Sequence, residues 1–493
     1  MATSIAPRRL LARGFVLLLL TVLSACSSAP VPIASAPSGE WLTYHHDNAR
    51  TGFGSSAPLA QAVTPTPGWS SPNLDGQVYA EPLIANARVY TATLNNTVYA
   101  LSQAGGQVLW HTHLGSPVST GWSCGNVSPQ GILATPVIDL SAGRIYVVAL
   151  LATTHTYSVF GLSLSTGTVV FTQSLAAVLG SGFDWRIQQQ RGALSLSRGI
   201  LYVPFGGRNG DCGDYHGIIA GMDTSNPTRT FLWQTPGSGS GIWASGGLAI
   251  DDSTGSIFAA TGNANVSNGC SANPDGTPQS ENDATVRLSP TLQEQGSFVP
   301  DDWQANWCQN DQDLGSASPL LLSPTLLFQS GKAGQGFLLS PAHLGGMGGQ
   351  VFPAPPSPSP VCFGRPDNAT FGSFASAHGF IYVECEGQGL VALHLDSSAL
   401  AFTPCATACP TPNWHAGSGL TFGPPIVAGG AVWAASDSNG LYAFNALSGA
   451  LIYHSDSFPI NRFTTPSQAG SQVFVASGSQ VLSFSFGPSA ASS

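Results

Sequence analysis

The sequence is poor in charge. Of its 493 residues, 15 are Lys or Arg and 25 are Asp or Glu, with no long run of either sign and a formal net charge of −10. A nucleic-acid partner needs a basic face, which this composition does not supply. Sparse charge is not disorder here, because apolar residues make up 43% of the chain and are spread evenly along it. Long apolar runs are also missing. Phe15–Leu23 is too short to cross a bilayer as an ordinary helix. No segment carries a helical apolar period, which argues against a helical solenoid. Cysteine never occurs as a Cys-Cys dipeptide, as CxxC or as CxxCH, and no HxxxH is present. Those absences remove the spacings of a zinc site and of covalently attached haem. Paired carboxylates in repeated context are lacking too, so glycoside hydrolysis finds no support.

What is present begins with a targeting segment. Arg8, Arg9 and Arg13 precede the short apolar stretch, and Leu23-Ser24-Ala25-Cys26 follows it. This tetrad resembles a bacterial lipobox. The resemblance implies a signal peptide over 1–25, cleavage before Cys26 and acyl chains on Cys26. The mature chain is then expected outside the cytoplasm, in the cell envelope, lipid-anchored to a membrane. Residues 26–40, rich in Ser, Pro and Ala, read as a flexible tether. Eight cysteines remain, an even number that suits disulfides in an exported protein. Spacing does not fix their connectivity; the expected pairs are Cys124–Cys212, Cys270–Cys308, Cys362–Cys385 and a local Cys405–Cys409 bridge.

The body of the chain repeats one word, an apolar strand-prone stretch with an aromatic near its centre. The aromatics are Tyr90, Tyr146, Tyr202, Phe258, Phe328, Tyr382, Trp433 and Phe474, and the first three intervals are 56 residues each. A short apolar strand precedes each one, often led by Pro, as in Pro82-Leu-Ile84 and Pro136-Val-Ile138. A third and a fourth strand follow across a Gly turn, clearest in Val98–Leu101 and Val108–Trp110 around Gly105-Gly106. Phe160–Leu164 with Val169–Phe171, and Leu441–Phe444 with Leu451–Tyr453, repeat the pattern. Alternation over four to six residues bounded by Gly or Ser indicates half-buried antiparallel strands. Four strands per unit and eight units predict an all-β, eight-bladed β-propeller over 41–487, with 488–493 a tail. The last unit has room for three strands only, so Gly68-Trp69-Ser70 is expected to supply its fourth and close the ring.

Val98–Trp110, VYALSQAGGQVLW, resembles the repeat of quinoprotein propellers, and Trp41-Leu-Thr-Tyr44 through Asp47–Gly52 resembles the lead-in of such proteins. The resemblance implies the fold of quinoprotein alcohol dehydrogenases. The family includes both dehydrogenases that use the quinone PQQ and lipoproteins that scaffold outer-membrane protein assembly without a quinone. The reading favoured is a binding or scaffold module with a protein or small-molecule partner on the propeller face. The alternative is a PQQ- and calcium-dependent alcohol or sugar dehydrogenase with an atypical pocket lacking the vicinal disulfide.

For that alternative the resemblance implies site residues. Thr261-Gly262-Asn263 matches the segment that carries a calcium-binding Asn, which makes Asn263 a metal and cofactor candidate. Asp313 falls where a catalytic base or calcium ligand is expected, since a base must take the alcohol proton as hydride leaves. Trp243 offers a flat stacking surface, and Arg191 a cation for quinone carboxylates. The segment that should carry a calcium-binding Glu has none, so Asp211 or Asp214 would have to substitute. Each has a structural counter-reading: turn residues for Asn263, Asp311 and Asp313, packing for Trp243, an ion pair for Arg191. His45, His46, His111 and His113 lack coupled partners and are read as surface or strand-face residues. The loop Asn273–Asp283, with Asp275, Glu281 and Asp283, is read as a solvated insertion pinned by Cys270–Cys308, with calcium binding as its rival.

Overall fold

The computed structural model describes residues 1–4, 39–54, 65–264, 270–354, 359–363, 369–437 and 439–486. Met1–Pro32 separates as one unit and Ile33–Ser493 as another. Cys26, nearly all of the leader and tether, the last expected propeller residue 487 and the tail 488–493 lie outside the described residues.

The second unit folds into eight antiparallel sheets, the blades of a β-propeller. Blade 1 is Leu83–Ala85, Arg88–Ala92, Thr97–Ser102 and Val108–His113. Blades 2 (137–174), 3 (195–234), 4 (249–299), 6 (375–416) and 7 (426–454) repeat this order, with short extra strands in blades 3, 4 and 6; blade 5 has three strands among the described residues, Leu320–Ser323, Leu326–Ser330 and Gly336–Leu339, and blade 8 is built on Ser467–Ala469, Gln472–Ser477 and Gln480–Ser485. Every repeat aromatic is the third residue of its blade's second strand. All eight are 1% exposed or less. Each pairs with the opening residue of the first strand, as Leu83 with Tyr90 and Ile426 with Trp433. On the third strand the partner is often small, Ala100, Gly161, Gly221, Ala392 and Ala443 among them. A small partner leaves the ring room to lean onto the next blade. There the hydroxyls of Tyr90, Tyr202 and Tyr382 donate to Leu164, Pro290 and Ala446 carbonyls at 2.8–3.1 Å. The repeat is thus an inter-blade fastener, and a blade without a neighbour would leave both ring and donor unsatisfied.

Closure uses the same device. Thr66–Ser70 pairs antiparallel with Gln480–Ser485, so the chain's beginning completes blade 8. The Trp69 indole N–H then reaches blade 1 and donates to the Gln103 carbonyl at 2.8 Å. Its ring lies over Gly106, where an added Cβ would sit 2.3 Å from Trp69 Cε3 and where φ is +73°. Only glycine meets both demands. Trp110 and Trp414 repeat the indole-to-carbonyl bond in other blades.

The lead-in segment 41–54 fills the axis and laces the ring. It meets the second residue of one first strand after another. Trp41 exchanges two backbone bonds with Ile84, and the Leu42, Asn48, Ala49, Thr51 and Gly52 carbonyls accept from Ile138, Ile250, Leu321, Ser376 and Val427. The Asn48 carboxamide donates to Leu196 of blade 3 at 2.9 Å. Arg50 is wholly buried and donates to the Leu248 and Tyr44 carbonyls at 2.8 Å, to Ser195 Oγ at 2.6 Å and to Thr43 Oγ1 at 3.0 Å. His45 and His46, expected on a surface or strand face, are buried inside this plug. Burial pushes His45 down to about 3, with Arg50 adding to the effect, so it is neutral and bonds through Nδ1 to the Phe374 carbonyl.

The structure joins Cys124–Cys212, Cys270–Cys308, Cys362–Cys385 and Cys405–Cys409.

Candidate functional site

Strand direction decides which loops can meet. In an antiparallel blade, the loop entering the first strand and the loop joining the second to the third open on the same face. On that face lies a cavity of about 200 Å³, lined from loops of several blades. The plug fills the axis beneath: Tyr44 lines a much smaller cavity that shares Arg191, Arg462 and Phe463 with the first.

The cavity gathers four of the chain's 15 cationic residues, Arg191, Arg208, Lys332 and Arg462, against two acidic ones, Asp211 and Asp313. In a chain of net charge −10 this is a local reversal of sign. Flat surfaces come from Trp243, Phe371 and Phe463. Arg462 is paired, at 2.8 Å to Glu386, and lies over the Phe371 and Phe463 rings at 4.9 and 5.0 Å. Arg191 has no ion pair among the described residues and lies over Phe463 at 4.6 Å. Burial lowers it to about 10, which keeps it charged at neutral pH. Arg208 is 1% exposed; its Nη2 donates to the Trp185 carbonyl at 2.6 Å, while Nε and Nη1 find no partner among the described residues. The Cys124–Cys212 bridge ties its loop to the one that carries Asn126.

Asp313 and Lys332 form the polar centre. Asp313 is 5% exposed. Its Oδ1 accepts the Asn263 backbone N–H at 2.7 Å, and its Oδ2 lies 2.5 Å from Lys332 Nζ. The same ammonium is 3.2 Å from Asp311 Oδ1 and 5.7 Å from the Trp243 ring centre. Burial works to lower Lys332, but the facing Asp313 and Asp311 carboxylates outweigh it and hold the ammonium above the ordinary lysine value. Asn263 Nδ2 donates to Asp311 at 3.2 Å. Gly262 permits this closeness, since a Cβ there would lie 2.5 Å from Asp313 Oδ1. Behind them Asp283 is fully buried and accepts the Leu314 N–H at 3.1 Å. Burial first, and Asp313's charge second, push its carboxyl well above the usual range.

Of the residues singled out from sequence, Asp313, Trp243, Arg191 and Asp211 line the cavity, and Asn263 holds the two aspartates from behind. Asp214 is exposed and takes no part in the wall. Asp211 accepts the Tyr215 hydroxyl at 2.7 Å. Asp283, read as part of a solvated insertion, is in fact buried against Asp313. Sequence reasoning gave no role to Arg208, Arg462 or Lys332. One signal for the last was available: Lys332 is the chain's only lysine.

Calcium fits this centre poorly. Among the described residues no group of three or more His, Cys, Asp or Glu is placed to hold a metal ion. A calcium ion takes roughly six to eight oxygens, and both Asp313 oxygens already serve Asn263 and Lys332. A planar polyanion fits better, because the wall combines uncompensated guanidinium groups with aromatic faces.

Residues 60–264 match the family described as "Outer membrane protein assembly factor BamB". No curated protein matches the chain in sequence. Solved structures share the fold. Quinohemoprotein alcohol dehydrogenase from Comamonas testosteroni superposes with a TM-score of 0.67 at 14% identity, over 92% of this chain and 82% of that one. Quinohemoprotein alcohol dehydrogenase ADHIIG from Pseudomonas putida HK5 gives 0.64 at 13%, over 92% and 81%. A europium-containing methanol dehydrogenase gives 0.63 at 13%, over 91% and 98%.

Proposed function

Taking the chain as an eight-bladed propeller of PQQ-like repeats, we propose that it is an extracytoplasmic, lipid-anchored binding module whose axial cavity takes a planar, multiply anionic small molecule. The observation that carries this reading is the cavity wall itself, where Arg191 and Arg208 have no carboxylate partner among the described residues and Trp243, Phe371 and Phe463 supply flat faces. Shape and charge select together: guanidinium groups match carboxylates, and rings match a fused aromatic plane. PQQ, named by its class as a flat quinone polycarboxylate, meets that description. The test is a calorimetric or tryptophan-fluorescence titration of the purified mature chain with PQQ. Binding with a Kd in roughly the micromolar range or tighter is expected. No binding at high micromolar ligand, with the fold intact by circular dichroism, overturns the reading. Anchoring is tested separately: Cys26→Ser should move the protein from the membrane to the soluble extracytoplasmic fraction.

One observation favours a second reading, oxidation of an alcohol or sugar. Asp313 is a buried carboxylate beside Lys332 at the cavity wall, with Trp243 next to it. When bound, a quinone supplies the hydride acceptor. Asp313 would accept the substrate's hydroxyl proton; burial raises its carboxyl, which favours proton uptake, while the Lys332 ammonium works against that rise and favours the anion. Dye reduction by alcohols with added PQQ, abolished by Asp313→Ala, supports this reading. Binding without any dye reduction leaves the module as a binder only.

A further inference from the structure

The aspartates at the polar centre already have their cation, and it is part of the chain. Asp311 and Asp313 converge from one loop, Asn263 braces both, and the Lys332 ammonium sits between them at 3.2 and 2.5 Å. An ammonium has three N–H donors. Two are engaged by the aspartates, and the Lys332 side chain is still 22% exposed where it lines the cavity. This leaves one donor to face a bound molecule. The oxygens that a divalent ion would need are the ones Lys332 neutralises.

We infer that Lys332 stands in for a divalent cation, so the cavity binds its oxyanion ligand without calcium, and that removing the ammonium converts the aspartate cluster into a metal-responsive site. The ligand half of this inference rests on the reading proposed above; the metal half does not. Charge explains the conversion. With Lys332 present, a dication must expel an ammonium paired to the buried Asp313. With Lys332→Ala, two neighbouring carboxylates lose their cation and offer hard oxygen donors.

The experiment has two arms. In the first, terbium luminescence sensitised by nearby tryptophan is titrated into wild-type chain and Lys332→Ala, with calcium as competitor. Saturable, calcium-displaceable emission is expected only in Lys332→Ala, and the same emission from wild type overturns the inference. Lys332→Met adds a check that preserves volume and should behave like Lys332→Ala; if neither folded variant gains emission, the cluster is no latent metal site and the metal half fails. In the second arm, PQQ is titrated in EDTA and in about 1 mM calcium, the range to which extracellular calcium sites respond. Equal affinity in both for wild type supports the inference. Lys332→Ala should lose at least about tenfold in EDTA, the worth of one charge-assisted hydrogen bond. Wild-type binding that requires calcium overturns the inference. Absence of PQQ binding in either buffer refutes the proposed ligand class instead, with the terbium arm still deciding the role of Lys332.

Discussion

Arg50→Met should loosen the whole ring although Arg50 lines neither of the two cavities described above. The guanidinium is fully buried and gives four hydrogen bonds of 2.6–3.0 Å, two of them to the Leu248 and Tyr44 carbonyls. Methionine keeps much of the volume and removes every donor. A buried carbonyl left unmet costs about 1–3 kcal/mol, so two of them place the loss near 4 kcal/mol. Unfolding entropy of about 2.1 cal/mol/K per residue over roughly 450 residues turns that into a fall of about 4 °C in Tm. Differential scanning calorimetry of the oxidised protein measures it, with the exposed Arg198→Ala as a control expected within about 1 °C. An Arg50→Met protein that melts with the control would show that the plug is not fastened through this side chain. The account of how segment 41–54 ties the blades together would then fail.

Other outcomes follow from the same structure. His45 has its value lowered to about 3 by burial, so the unfolded chain binds the proton more readily below its ordinary value of about 6.5. Its neutral form therefore contributes stability that is present above that value and lost as pH falls from about 6.5 toward 3. Glu81, raised by burial, works in the opposite sense; comparing His45→Gln with wild type in urea titrations across that range isolates the histidine, and parallel pH curves would refute its buried neutral state. Trp69→Ala removes the indole bond to Gln103 and the half-buried ring over Gly106, and should cost about 2–3 kcal/mol, less than a fully buried aromatic. A loss under about 1 kcal/mol by denaturant titration would mean that closure does not depend on it. The Cys124–Cys212 bridge spans 88 residues, and Cys124→Ser should cost about 2–5 kcal/mol and weaken PQQ binding by freeing the loop of Arg208. Unchanged affinity would separate the bridge from the site.

The sequence by itself determined the blades. Strand alternation, the Gly turns and the repeat aromatic are local features, and each blade is built from residues close in sequence. For that reason Tyr90, Tyr146, Tyr202 and their counterparts fall into one register. Trp69 was legible as a closing strand because blade 8 ran short of residues. Asp313, Trp243 and Arg191 were legible only through resemblance, and nothing local said that they meet. Tertiary structure decided that. Lys332 reaches Asp313 because one loop enters the first strand of blade 5 and another leaves its second strand on the same face. Arg208 and Arg462, more than 250 positions apart in the numbering, share a wall because the ring brings blade 8 round to face blade 3. The plug was hidden for the same reason. Its hydrogen bonds go to residues of seven blades, from Ile84 to Val427, and no pattern within fourteen residues can announce partners so far away.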